Sequence, residues 1–156
     1  MIEDDEKISV LYVDDEENNL IAFKASFRRH FNIHTAISAD DAKIILSKNE
    51  VHVLITDQRM PGTLGTELLA QALQDYPDKI RILLTGYSDI EAIKDSINKG
   101  QVFRYLEKPW KEADLKTTIE DAFELYVKKM REKNEASLLK LTNSQLEFML
   151  RQKLLS

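Results

Sequence analysis

Four apolar runs in this chain end on residues suited to handling a charged oxyanion. Run 8–13 delivers the acidic pair Asp14-Asp15, and run 51–56 delivers Asp57. Run 81–84 delivers Thr85, and run 102–106 leads into Glu107-Lys108-Pro109. If these runs are strands of one parallel sheet, their ends share an edge, where three carboxylates, a hydroxyl and an ammonium converge. Two carboxylates about 4 Å apart repel by about 4 kcal/mol at an effective dielectric of 20. Asp14, Asp15 and Asp57 therefore invite a divalent cation, and hard oxygen ligands suit Mg²⁺. An ionised carboxylate such as Asp57 can attack phosphorus without a general base. The chemistry indicated is acceptance of a phosphoryl group.

Taken singly, each residue has an ordinary reading. Asp14 and Asp15 could cap a helix, Thr85 could be a turn residue, and Lys108 a solvated surface charge. Taken together, those readings require independent coincidences at one sheet edge.

The elements that must position these residues follow from the hydrophobic pattern. Strand-length apolar runs at 8–13, 33–36, 51–56, 80–84 and 102–106 alternate with segments of helical period, as expected of a parallel sheet covered on both faces. The first helix, 17–30, places Leu20, Phe23, Ala25 and Phe27 largely on one side. The second, 39–49, opens with Ser38, Asp40 and Asp41 as amide partners and buries Ala42, Ile45 and Leu46. A loop, Met60-Pro61-Gly62-Thr63-Leu64-Gly65, precedes a third helix, 65–75, with Leu68, Leu69, Ala72 and Leu73. The fourth, 89–99, carries Ile90, Ile93 and Ile97, with Gly100 to end it. The fifth, from 111, buries Leu115, Ile119, Ala122 and Phe123. Strict alternation implies right-handed crossovers and a doubly wound α/β sheet, whose ligands bind beyond the carboxyl ends of the strands.

Composition narrows the class. The 156 residues suit one domain plus an extension, and there are no cysteines, so disulfides, thiolate metal sites and thiol catalysis are excluded. No stretch approaches the roughly 20 apolar residues that span a bilayer, and the first residues do not read as a secretory signal. A cytoplasmic protein without membrane attachment is expected. Residues 127–156 hold seven Lys and Arg against three acids (+4), and the remainder fifteen against twenty-four (−9). The acidic body argues against nucleic-acid binding by that part, and the basic end reads as a solvated helix face. His30, His34 and His52 do not form a metal set, and the loop at 60–65 lacks phosphate-cradling glycine spacing.

The motifs Val13-Asp14-Asp15-Glu16, Thr56-Asp57-Gln58-Arg59-Met60-Pro61-Gly62, Leu84-Thr85-Gly86-Tyr87 and Lys108-Pro109 resemble the receiver domain of bacterial two-component response regulators. The resemblance covers about 1–126. It implies a flavodoxin-like sheet of order 2-1-3-4-5 and phosphoryl transfer to Asp57 from a sensor histidine kinase or a histidine phosphotransfer protein. It also implies Mg²⁺ held directly by Asp15, Asp57 and the backbone carbonyl of Arg59, with Asp14 acting mainly through water. Lys108 would stabilise the phosphoryl oxygens, after a cis peptide bond to Pro109. Thr85, beside the small Gly86, and Tyr105 would be the switch pair, while Arg59 and Tyr87 would tune the lifetime of the acyl phosphate. The phrases around Asp57, Thr85 and Tyr105-Leu106-Glu107-Lys108-Pro109-Trp110 are similar to receivers joined to HD-GYP phosphodiesterase domains or to those of hydrogenase-gene regulators.

Beyond 126, Phe123, Val127, Met130, Asn134, Leu138, Leu141, Gln145 and Phe148 follow spacings near three and four. They predict a continued helix of roughly 45 Å over 127–156, with a two-stranded coiled coil as the remedy for its exposed stripe. Asn134 would set register, and residues 141–144 could break the helix. The expectation is a homodimer through this extension, which would link to an output domain outside the chain. Two alternatives differ. A free-standing phosphorelay receiver would be monomeric. A haloacid-dehalogenase-like phosphatase would need a second acid two residues after Asp57, where Arg59 stands.

Overall fold

The computed structural model describes residues 7–86, 90–139, 145, 147, 148 and 150–152, without the side chains of Ile90, Ala92 and residues 137–139. Five strands, β1 (Ser9–Val13), β2 (Asn32–Ala36), β3 (Val53–Asp57), β4 (Ile80–Thr85) and β5 (Arg104–Glu107), alternate with five helices. The helices are α1 (Glu17–Phe27), α2 (Ala39–Lys48), α3 (Gly65–Asp75), α4 (Ile90–Asn98) and α5 (Glu112–Leu139). The sheet is parallel throughout, in the order β2-β1-β3-β4-β5. Strand order therefore reverses between β1 and β3, whose carboxyl ends carry the acidic residues.

Period-two alternation sorts the core into two layers. Leu11, Val13, Leu54 and Leu83 pack with Ala42 and Leu46 of α2, Leu68 and Leu69 of α3 and Ile93 of α4. Val10, Tyr12, Val53, Ile55, Ile82 and Leu84 pack with Leu20, Phe23 and Phe27 of α1 and Leu115, Ile119 and Ala122 of α5. All of these side chains are buried. At about 25 cal/mol per Å² of apolar surface, the two layers dominate the stability of the sheet.

Several local expectations shift by a residue or more. The first helix ends at Phe27, and 28–30 form a turn closed by Phe31 N–H to Phe27 O at 2.9 Å. Ala25 is exposed because it stands two residues from Phe23, off the stripe that Leu20, Phe23 and Phe27 make. The third strand starts at Val53 rather than 51 and takes in Asp57. Ser38 caps α2 as expected, its Oγ accepting from Asp41 N–H at 3.1 Å. Gly100, at φ +74°, closes α4 in the left-handed conformation that glycine adopts without strain.

The chain divides into two compact units, and the one holding the sheet ends at Tyr126. In the second, which begins at Val127, α5 runs on to Leu139, and Gln145, Glu147, Phe148 and 150–152 are helical. Phe148 and Leu150 are largely exposed. Leu141, the expected break at 141–144, the Leu138 side chain and Tyr87 lie outside the described residues.

Candidate functional site

The buried strands β1 and β3 lie side by side, with Val13 opposite Thr56, so Asp14 and Asp57 emerge as neighbours at the carboxyl edge. Carboxylate oxygens of Asp14, Asp15 and Asp57 all lie within 4.8 Å of one another. From the opposite side, Lys108 Nζ reaches Asp14 Oδ2 at 3.0 Å and Asp57 Oδ1 at 3.1 Å. The lysine stands just beyond β5, where its backbone N–H donates to Thr85 O at 2.8 Å, and its peptide bond to Pro109 is cis. Thr85 ends β4 and is buried, its hydroxyl donating to Gly86 O at 3.1 Å. Tyr105 is half-buried against the α2–α4 layer and pairs with Leu83 across the β4–β5 register. Arg59 is exposed in the loop two residues beyond Asp57.

The three acids differ in environment. Asp14 is fully buried. Its Oδ1 accepts from Glu16 N–H at 2.9 Å, and its Oδ2 accepts from Tyr12 OH at 2.7 Å, Asn19 Nδ2 at 3.0 Å and Lys108. Burial pushes the Asp14 carboxyl upward, but the hydrogen bonds from Glu16 and Tyr12 and the Lys108 ammonium outweigh it and hold the group below its usual range. Asp57 goes the other way. Burial raises its carboxyl, and repulsion from Asp14 adds to that, leaving it above its usual range despite Lys108. Burial likewise opposes the charge on Lys108, yet its two carboxylate partners keep the ammonium above its ordinary value. Asp15 is half-exposed and makes no hydrogen bond or ion pair among the described residues.

Sequence reasoning missed four residues that build this site. Tyr12 shares a strand side with Asp14, an i, i+2 relation legible in the sequence. Asn19 lies in the first turn of α1, beneath the acidic pair. Gln58 is buried and accepts from Thr66 N–H through Oε1 at 2.8 Å, pinning the start of α3 behind Asp57. Gly65 N–H donates to Gln58 O at 2.9 Å, and a Cβ at Gly65 would collide with the Asp57 carbonyl oxygen. Only a residue without a side chain lets α3 approach the acidic strand end so closely.

Three hard carboxylates and no soft donor make a set suited to Mg²⁺. The arrangement presents a carboxylate beside an ammonium, with a hydroxyl at the end of the neighbouring strand, groups able to stabilise a phosphoryl oxygen.

Comparison with known proteins agrees on what kind of domain this is. Residues 10–120 match the response regulator receiver domain family. The hydrogenase transcriptional regulatory protein HoxA of Cupriavidus necator is 36% identical over 120 residues, which are 77% of this chain and 25% of that protein. The chain thus spans about a quarter of the length of the curated relatives it matches. Among solved structures, an adenylate cyclase from Rhodopirellula baltica superposes with a TM-score of 0.78 at 31% identity, covering 86% of this chain and 99% of that one. The signal receiver domain of an HD domain-containing protein from Pseudomonas fluorescens gives 0.74 at 33% identity, covering 79% and 99%. Matched along most of its length and folded with the same sheet order, this chain belongs to the receiver domain family of response regulators.

Proposed function

We propose that the chain is a phosphorylation switch whose acceptor is Asp57. The observation that carries this reading is Lys108 Nζ bridging Asp14 and Asp57 inside a three-carboxylate cluster. The donor is a phosphohistidine of a sensor kinase or of a phosphotransfer protein. An Asp57 carboxylate oxygen attacks phosphorus. The new O–P bond forms as the P–N bond breaks, and the electron pair leaves with the imidazole nitrogen, which takes a proton from solvent. Asp15, Asp57 and the Arg59 carbonyl would hold Mg²⁺ directly and Asp14 through water; when bound, the ion supplies positive charge that offsets the carboxylates and the phosphoryl oxygens. Lys108 shifts from its Asp57 contact to a phosphoryl oxygen as a charge-assisted donor. Thr85 gives up Gly86 O to donate to another, and Tyr105 turns inward behind it. Driving such a switch from 1:99 to 99:1 takes about 5.5 kcal/mol of differential stabilisation.

The reading extends to organisation. Residues 1–126 act as the receiver in the cytoplasm, and 127–156 form a helical linker that pairs with a second copy and carries the signal to an output domain. Its support is the continuation of α5 past Tyr126 and the exposure of Val127, Phe148 and Leu150. Among the described residues no helix is long and apolar enough to cross a membrane.

Intact mass after acetyl phosphate and Mg²⁺ tests the acceptor. One added phosphate is expected on the wild type and none on Asp57→Asn; modification elsewhere would refute the assignment. A monomer in size-exclusion chromatography would remove the paired linker and leave the acceptor reading untouched.

A further inference from the structure

We infer that Gln58 is a positioning residue of the cation site: its side-chain amide ties the start of α3 to the end of β3 and so fixes the loop that carries the Arg59 carbonyl. The inference rests on the cation reading above and adds to it a residue that acts on the ion only through that loop.

Helix α3 begins without a cap of its own. Its N-cap is Leu64, which has no side-chain oxygen, and the first N–H groups of a helix have no partners within it. Gln58 supplies the missing acceptor from outside the helix. Its Oε1 accepts from Thr66 N–H at 2.8 Å, and its Nε2 donates to Thr66 Oγ1 at 3.3 Å. The backbone of the same residue is engaged on both sides, its N–H donating to Leu84 O at 3.0 Å and its carbonyl accepting from Gly65 N–H at 2.9 Å. Gln58 thus joins the strand end that delivers Asp57, the β4 residue before Thr85, and the start of α3. Segment 59–64 leaves this residue and returns to it, with Met60 buried as a second anchor. Glutamine is mostly an exposed residue, yet this one is 2% exposed with both amide atoms bonded. A backbone carbonyl has no rotamer of its own, so the place of Arg59 O is set by how the two ends of its loop are held. A residue that only caps α3 changes the stability of the helix. One that fixes the loop changes ion binding as well.

The test is a calorimetric titration of the unphosphorylated full chain with Mg²⁺ alone, comparing wild type, Gln58→Met and Ser38→Ala. Methionine keeps the length and bulk of the glutamine and removes both amide contacts. Ser38→Ala removes the comparable cap of α2, whose Oγ accepts from Asp41 N–H at 3.1 Å outside the acidic cluster. Both substitutions should lower Tm, as loss of a helix cap does. Only Gln58→Met should weaken Mg²⁺ binding, by about tenfold. In acetyl phosphate labelling of Asp57, the Mg²⁺ concentration giving half the maximal rate should rise by a similar factor, while the rate at saturating Mg²⁺ stays within about twofold. Unchanged or tighter Mg²⁺ binding in Gln58→Met overturns the inference. An equal loss in Ser38→Ala also overturns it, because general loosening would then be the cause. Absence of Mg²⁺ binding by the wild type refutes the cation reading, and the inference with it. If Gln58→Met does not fold, Thr66→Ala decides. It removes the Oγ1 partner of Nε2 from a half-exposed position, and Mg²⁺ binding should weaken about two- to threefold. No weakening there overturns the proposal.

Discussion

At the carboxyl edge of the sheet charge is buried against charge, whereas at the amino edge it is buried against backbone. Asp14, Asp57 and Lys108 form the first arrangement. In the second, the Arg81 guanidinium donates to the carbonyls of Lys79, Gly100 and Gln101, and His52 Nδ1 accepts from Ser9 N–H at 3.0 Å. Burial pulls Arg81 below its usual range, yet three carbonyls meet its donors, with no acidic partner among the described residues. The amino edge is thereby satisfied and holds the β4–α4–β5 corner together. The carboxyl edge keeps more negative charge than its lysine can balance. One end of the sheet is built to stay as it is, and the other is left to respond to a ligand.

The contrast is most exposed to disproof at Arg81. Arg81→Ala removes three hydrogen bonds from a buried charged side chain to part-exposed carbonyls, each worth about 1.5–3 kcal/mol before water takes its place, so a loss of about 3–5 kcal/mol is expected in urea denaturation. A loss below about 1 kcal/mol would mean that water replaces the guanidinium and the amino edge is not closed. Next in size is Gly65→Ala, where the added methyl must push α3 off the Asp57 carbonyl; about 1–3 kcal/mol should be lost, with weaker acetyl phosphate labelling of Asp57.

Asp57→Asn should act in the opposite sense. The folded protein holds this carboxyl above its usual range, so its ionised form is disfavoured on folding, and stability falls as pH rises through the window above the ordinary carboxylate value. Neutralising it should raise stability by about 1 kcal/mol at pH 7, read as a higher Tm without Mg²⁺. A lower Tm would mean that the Lys108 pair outweighs the repulsion.

The smallest effect belongs to His52. Burial, chiefly, holds its imidazole below the usual range, and its rim packs on Phe123 and Tyr126. The unfolded chain then binds more protons between the depressed folded value and about 6.5. Stability should rise with pH through that window and level off above it, by less than about 1 kcal/mol. His52→Gln, which keeps an acceptor, should flatten the slope; an unchanged slope would place its source elsewhere.

Much of this was legible beforehand because strands and helices have different periods. The runs ending at Asp14, Asp57, Thr85 and Lys108 announced a parallel sheet, and the direction of a parallel sheet sends all four ends to one edge. The Ser38 cap and Gly100 stop were readable because each acts within a few residues of itself. Ala25 was misplaced by counting apolar residues instead of weighing their angle about the helix. Arg81 looked like part of an apolar run, since nothing near it in sequence names its carbonyl partners twenty residues away.

What the residue order alone determined was the parallel α/β architecture and the acidic, hydroxyl and lysine residues at its strand ends, because periodicity and strand polarity are local properties. What only the tertiary structure decided was how the acids are partnered. Asp14 accepts from Tyr12, Glu16 and Asn19, all within five residues of it, but also from a lysine 94 positions away that reaches Asp57 as well. That last contact depends on which groups meet in space, and no spacing along the chain encodes it.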